Sequence, residues 1–356
     1  MKTLKKLTAL TLALVLALSL AACGASTPET TPVTTPATTL PEIQEQPEET
    51  KPVETGAVVA DSVKVNVSVL NGTTGFGMAN LMDAAAKGEA SLDYTFTVET
   101  DASNIVAGLV NGSVDIAALP TNAASTVYNK TQGGVQVLAL NTLGVLYVVT
   151  DGSVTVESMT DLEGKTVYAP AQNPTFIFQG LCQANGLENV TVDNTYAQPA
   201  DLNTAVASGQ VSIAVLPEPM VTVARAQNPN LVVALDLTDE WDKVYTPDSL
   251  VQGCVVVRTA FAQEHPEAVA IFLQEYEVSI DTMLSDVEGT SVKIQENGIF
   301  AKAPVAAKAI PNCNVCFITG AEMQASLSEF LTIMHGVAPA SVGGAIPGDD
   351  FYCILN

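Results

Sequence analysis

Two stretches of this chain repeat one another ninety-seven positions apart. The first reads Asn111-Gly112-Ser113-Val114-Asp115-Ile116-Ala117-Ala118-Leu119-Pro120, the second Ser208-Gly209-Gln210-Val211-Ser212-Ile213-Ala214-Val215-Leu216-Pro217. Each follows a short amphipathic segment, with Ile105 and Leu109 apolar in one and Leu202 and Val206 in the other. That spacing predicts a helix in both places. Gly112 and Gly209 stand where a helix would end in a left-handed residue. Each glycine then leads into a short apolar run that stops at Leu-Pro, as a buried strand would.

The preceding segments match as well. Val65 to Leu70 is rich in β-branched residues and leads into the turn Asn71-Gly72-Thr73-Thr74, then a helical pattern with Phe76, Met78, Leu81 and Met82. About a hundred residues on, Thr166 to Ala169 leads into Pro170-Ala171-Gln172-Asn173-Pro174-Thr175 and a helical pattern with Phe176, Phe178 and Leu181. Each half is strand, polar turn, helix, strand, helix, strand. Such alternation predicts α/β lobes with mixed, mostly parallel sheets and helices on both faces. Ligands of such sheets sit beyond the carboxyl ends of the strands. Four turns fall there, 71–74, 119–122, 170–175 and 216–219, two from each half. If the halves face one another, the turns line a shared cleft. Two of them open helices, whose free N–H groups would point into it.

The N-terminus points outside the cell. Lys2, Lys5 and Lys6 precede an uncharged apolar run from Leu7 to Leu20, which ends in Leu20-Ala21-Ala22-Cys23-Gly24. The run is short for a bilayer span and has the flanks of a signal peptide. Its end resembles the bacterial lipobox, in which the cysteine is diacylated and becomes the new N-terminus. The alternative is an ordinary secretory peptide; charge, apolar length and cysteine position together favour lipidation at Cys23. Two acyl chains suffice for stable attachment where one is marginal. Residues 24–61 are rich in Thr, Pro and Glu, with Thr-Pro recurring at Thr27, Thr31 and Thr35. A segment without apolar payload cannot offset its ordering entropy, so a disordered, semi-stiff tether is expected.

The remaining chain is large for one core and comfortable for two lobes. With the signal removed, 11 basic residues face 38 acidic ones. Nucleic acid is therefore excluded as a partner of the bulk surface. The six cysteines are Cys23, Cys182, Cys254, Cys313, Cys316 and Cys353. Five after lipidation, irregularly spaced, are not a disulfide framework, though one bridge among Cys313, Cys316 and Cys353 stays open. Cys313-Asn314-Val315-Cys316 is half of a metal or redox spacing. Neither His265 nor His335 completes it, so no metal is expected. Gly75-Phe76-Gly77-Met78-Ala79-Asn80 lacks the third glycine of a dinucleotide fingerprint, and Gly164-Lys165-Thr166 precedes a strand where a phosphate loop needs a helix. Glu218, between Pro217 and Pro219, is an acid at a strand end: either a solvated turn or a functional group.

These motifs, with Ala234-Leu235-Asp236-Leu237-Thr238-Asp239-Glu240-Trp241, Gly253-Cys254-Val255-Val256-Val257-Arg258, His265-Pro266-Glu267-Ala268-Val269 and Ser341-Val342-Gly343-Gly344-Ala345-Ile346-Pro347, resemble the substrate-binding lipoproteins of ABC importers. The group is that of the nitrate, sulfonate, taurine and thiamine-precursor binders. The resemblance implies a type II periplasmic-binding-protein fold. One lobe would hold 62–148 plus 245–356, the other 149–244, with crossings near 148 and 245. It implies that Asn71, Thr73 and Thr74 bind ligand from the first turn. Thr121, Asn122 and Asn141 would add to them, with Gln172, Asn173, Thr175 and Glu218 from the second lobe, and Phe76 or Phe176 would stack on it. Arg225 and Arg258 lie outside these turns. The expected ligand is therefore small and polar, uncharged or with one carboxylate-like group. A helix terminus gives a charged group about 0.3–1 kcal/mol, whereas micromolar binding needs about 8 kcal/mol. Aligned hydrogen bonds in a closed cleft must supply most of it.

The implied function is extracytoplasmic capture of that solute and delivery to an ABC permease and ATPase complex, without cofactor. A competing reading is an enzyme on the same fold, similar to the pyrimidine synthases of thiamine biosynthesis. This chain lacks their cysteine-rich cluster and has no histidine in the four turns. A surface sensor or adhesin is a third reading, which a tether also permits. If Cys23 carries the anchor, Cys23→Ala releases the protein from membranes, and the intact mass of the wild type includes a diacyl adduct. A mutant that still pellets beside an unacylated wild type would refute this.

Overall fold

Period-two alternation starts the fold. In β1 (Lys64–Leu70), Val65, Val67 and Val69 face one side and are buried. The computed structural model describes residues 63–354; Cys23 and the tether 24–61 lie outside the described residues. The other strands are β2 (Asp93–Glu99), β3 (Ile116–Pro120), β4 (Val135–Thr142), β5 (Leu146–Thr150), β6 (Thr166–Tyr168), β7 (Thr191–Asp193), β8 (Ile213–Pro217), β9 (Val232–Asp236), β10 (Gly253–Arg258) and β11 (Val315–Ile318).

The repeat seen in the sequence is a repeat of topology. One sheet runs β2-β1-β3-β10-β4-β11 and the other β7-β6-β8-β5-β9. β1 pairs in parallel with β2 and β3, as β6 does with β7 and β8. The two Leu-Pro strands, β3 and β8, each pair on their other side with an antiparallel strand, β10 and β5 respectively. The sheets are therefore mixed, but not mostly parallel as the alternating pattern predicts: four strand pairings are parallel and five antiparallel, because β5 and β10 run antiparallel to both of their neighbours. The helices before the Leu-Pro strands are Ala102–Asn111 and Pro199–Ala207. Asp101 caps the first, accepting from Ser103 N at 2.8 Å, and Pro199 opens the second, where its missing N–H costs nothing. Ile105 with Leu109, and Leu202 with Val206, are the buried pairs. Gly112 and Gly209 have φ of 80° and 74°, the left-handed region that favours glycine.

The chain passes between the sheets twice. β4 ends in the first sheet at Thr142 and β5 begins in the second at Leu146. The first crossing is thus 143–145 and not near 148, because Leu146, Tyr147 and Val148 already pair with β8. A strand's pairing begins where its backbone finds a partner, and composition does not mark that point. The return runs from β9 through the helix Leu237–Asp242 to β10. The two crossings touch: a Cβ placed on Gly144 would clash with Thr238 Oγ1 and lie 2.7 Å from Leu250 Cδ2.

Apolar packing follows the two sheets. One core joins a face of each, running from Leu119 and Val137 through Val148 and Val215 to Phe178 and Trp241. The helix Gly320–Val337 supplies Leu327, Phe330 and Leu331 to it, with Phe330 5.9 Å from Trp241 between ring centroids. Separate cores cover the outer faces, one around Phe76, Phe272 and Tyr276 and one around Leu202, Val206 and Leu216. All five described cysteines are unpaired. The contact between crossings is testable. Gly144→Ala overpacks it and should cost about 1–3 kcal/mol of unfolding free energy, measured by denaturant titration; an unchanged midpoint would show that the crossings yield.

Candidate functional site

All four turns predicted to line a cleft follow the carboxyl ends of parallel strands, β1, β3, β6 and β8. Each opens a helix: Thr73–Phe76, Thr121–Thr131, Asn173–Ala184 and Met220–Gln227. The sequence had indicated two. Turns from opposite sheets meet. Thr73 Oγ1 donates to the Glu218 carbonyl at 2.8 Å, across 145 residues of sequence. Tyr147 Oη, on β5, donates to the Asn312 carbonyl at 3.0 Å. These bonds join the lobe built on the first sheet to the lobe built on the second.

Along this seam lies a cavity of about 510 Å³, lined by Tyr147, Glu218, Thr222 and Arg225 from one lobe and Lys308 and Asn312 from the other. That volume falls within the usual range for small-molecule sites. Glu218 is 4 % exposed. Its Oε2 accepts from Thr222 N at 3.1 Å and its Oε1 from Thr222 Oγ1 at 2.9 Å. Burial pushes its pKa above the ordinary carboxylate value, against the opposing pull of the Thr222 hydrogen bonds and the Arg225 charge. Burial likewise pushes the Tyr147 phenol up, with the charges of Asp236 and Glu218 adding to it. Cys313 Sγ sits 3.8 Å from Thr73 Oγ1, and its thiol is pushed up chiefly by burial.

Of the residues predicted from the turns, Glu218 lines this cavity and Thr73 braces its edge. Several others are committed to the scaffold. Thr121 Oγ1 donates to the Val251 carbonyl at 2.8 Å and ties its turn to the return crossing. Asn141 Nδ2 donates to the Thr74 carbonyl and to Tyr276 Oη, both at 3.0 Å. Thr175 Oγ1 donates to the Pro170 carbonyl at 2.7 Å. Phe76 is a correction: its ring is fully buried against Phe300 and offers no face for stacking, because the short helix Thr73–Phe76 turns it into the lobe. Phe176 is partly buried against the shared core. Asn71 and Gln172 are exposed. Asn122 Oδ1 and Asn173 Oδ1 are buried without a hydrogen-bond partner.

Tyr147, Thr222, Arg225, Lys308 and Asn312 were not anticipated. Arg225 lies outside the predicted turn. Yet Thr222 and Arg225 are spaced by three on the helix Met220–Gln227 and share a face, directly after Glu218 at the strand end. Lys308 had no such signal, since it belongs to the other lobe. Among the described residues no cluster of three or more His, Cys, Asp or Glu side chains is placed to hold a metal ion.

Two lobes of matching topology, joined by paired crossings and enclosing a polar cavity, define a two-lobed solute-binding protein. The family described as the substrate-binding domain of ABC-type glycine betaine transport systems matches residues 63–295, and this chain belongs to it. The protein is thus a substrate-binding component of an ABC import system. Solved structures agree on the fold. An ABC transporter structure from Parabacteroides distasonis is 22 % identical, with a TM-score of 0.71, covering 83 % of this chain and 100 % of that one. The periplasmic aliphatic sulphonate binding protein SsuA of Escherichia coli is 14 % identical, with a TM-score of 0.65, covering 79 % and 95 %. A ligand-binding component of an ABC-type import system from Staphylococcus aureus, solved with zinc bound, is 12 % identical, with a TM-score of 0.64, covering 82 % and 96 %. Among curated protein sequences none matches.

Glu218 gives a pH test. Its pKa when folded lies above the ordinary glutamate value of 4.5, so stability from the protonated form is full below pH 4.5 and is lost as pH rises through the folded pKa. Glu218→Gln lacks this titration. The melting temperature of the wild type should therefore fall relative to Glu218→Gln between pH 4.5 and neutrality; parallel curves would place the ionised carboxylate in a better-solvated setting.

Proposed function

We propose that this protein captures a small polar solute between its two lobes, outside the cytoplasmic membrane, and hands it to an ABC permease and ATPase complex. The carrying observation is the seam itself: a cavity lined by polar side chains of both lobes and bordered by hydrogen bonds that run from one lobe to the other. The lobes proposed are 63–142 with 253–354, and 146–236, with 143–145 and 237–252 as the crossings between. A diacylated Cys23 and the 24–61 tether would hold the protein at the membrane. This part of the reading rests on the sequence alone. No helix among the described residues is long and apolar enough to cross a membrane.

Asn122 and Asn173 belong to the same reading. Each stands in a turn at a strand end, one per lobe, with a buried carbonyl oxygen that lacks a partner. An unpaired buried acceptor costs about 1–3 kcal/mol, and a bound solute or water that donates to it recovers that cost. Gln172 adjoins Asn173 in sequence, and with Asn71, Thr73 and Thr74 of the first turn it is proposed as a secondary contact.

A binding role is favoured over a catalytic one by the chemistry of the seam. Its cavity is lined by no histidine, and the nearby Cys313 is a buried thiol with a raised pKa, the opposite of an activated nucleophile. The test is purification from native membranes. Permease and ATPase subunits should co-purify, and native mass spectrometry should show a small-solute adduct that Asn122→Ala and Asn173→Ala lose. Both variants should keep the apo melting temperature within a few degrees, since each removes an acceptor that was already unpaired. Absence of both the adduct and the subunits would count against the reading.

A further inference from the structure

We infer that Glu218 is a proton-operated latch of the seam: the lobes close over it as the neutral acid, and its ionisation favours opening. This deepens the solute-binding reading, on which it rests, by naming what regulates the site. One residue joins three parts of the device. Its backbone N–H donates to the carbonyl of Val145, in the first crossing, at 2.9 Å. Its carbonyl accepts from Thr73 Oγ1 of the opposite lobe at 2.8 Å. Its carboxyl lines the cavity between the lobes, and the residue is almost fully buried. Both carboxyl oxygens accept from Thr222, and the ion pairs among the described residues do not include Glu218.

A carboxylate buried without a paired cation is costly, whereas the hydrogen-bonded neutral acid is much less so. Thr73, Asn312 and Cys313 stand against Glu218 from the other lobe. Parting the lobes withdraws them and admits water to the carboxyl. The ionised form therefore favours the open arrangement, and closing takes up a proton. Burial raises the pKa above the ordinary glutamate value, while Thr222, Arg225 and Asn312 pull the other way without cancelling it. The preference for closure is thus full below pH 4.5 and is lost as pH rises through the pKa of the closed state. The other ionisable groups facing the carboxyl are Arg225 and Tyr147 from its own lobe and Lys308 and Cys313 from the other. Burial pushes the Tyr147 phenol and the Cys313 thiol up, so both are neutral where a carboxyl titrates. The charges of Asp236 and Asp239 act on Tyr147. Neither His265 nor His335 lines the cavity, which leaves Glu218 as its titrating group.

The experiment uses the full mature chain without added solute. Small-angle X-ray scattering gives its radius of gyration from pH 4.5 to about pH 8, and hydrogen exchange, corrected for its intrinsic pH dependence, reports on residues 71–75 and 216–222. In the wild type the ratio of closed to open molecules should fall up to about ten-fold per pH unit between the two pKa values. The radius should grow and both segments should lose protection together. Glu218→Gln, which mimics the neutral acid, should stay closed across the range. Arg225→Gln, at an exposed position, removes a pull that favours the ionised form, so its opening should move to higher pH. Wild-type and Glu218→Gln profiles that run parallel overturn the inference, as does a wild type that closes as pH rises. If Glu218→Gln does not fold, a wild-type opening that Arg225→Gln leaves unmoved overturns it. The solute-binding reading is judged separately at one fixed pH, by the solute adduct and by co-purification with the permease.

Discussion

The structure depends on an exchange of strands. β5 is the antiparallel neighbour of the Leu-Pro strand β8, and β10 is that of β3. β5 follows directly on the first crossing and β10 on the second. Each is flanked on both sides, β5 by β8 and β9, β10 by β3 and β4. Neither lobe can complete its sheet unless the chain leaves and returns at these points. Placing the crossings side by side, in contact at Gly144, Thr238 and Leu250, fixes which ends of the parallel strands look at one another. The position of the seam follows from that.

The two sides of the crossings differ in chemistry. On one, a single apolar core runs between the sheets, and the helix Gly320–Val337 packs Phe330 against Trp241. On the other, polar contacts such as Thr73 to Glu218 and Tyr147 to Asn312 close the gap. A hydrogen bond of that kind is worth about 0.5–1.5 kcal/mol net, whereas each large apolar side chain in the core contributes about 1.5–3 kcal/mol by burial. The seam is therefore the weaker side of the two.

Electrostatics at the seam runs against the composition of the chain. Acidic residues dominate overall, yet the cavity brings together Arg225 and Lys308 with a single carboxylate, that of Glu218, itself held by Thr222. Net charge describes the far field and the surface as a whole. A pocket samples only the few residues that the fold points at it, and here those come from two helices more than eighty positions apart in sequence.

Much of the fold was legible because it is periodic and local. Val65, Val67 and Val69, the pairs Ile105 with Leu109 and Leu202 with Val206, and the glycines at 112 and 209 announce strands, helices and their ends through rules that act within one or two turns of chain. The repeated Leu-Pro strands gave two lobes, and the four turns gave the carboxyl ends of the parallel strands. Glu218 was legible as an acid at a strand end, and Arg225 could have been read from its position on the helix that follows. What a side chain does at those ends was not. Phe76, Thr121, Asn141 and Thr175 sit in or beside the predicted turns yet are spent on packing and on bonds to Val251, Tyr276 and Pro170. Lys308 and Asn312 complete the cavity from a segment with no local mark. Amino-acid order determined the elements, because backbone propensity and burial period are short-range; only the tertiary structure decided the membership of the site, because it depends on which distant segments the two crossings bring face to face.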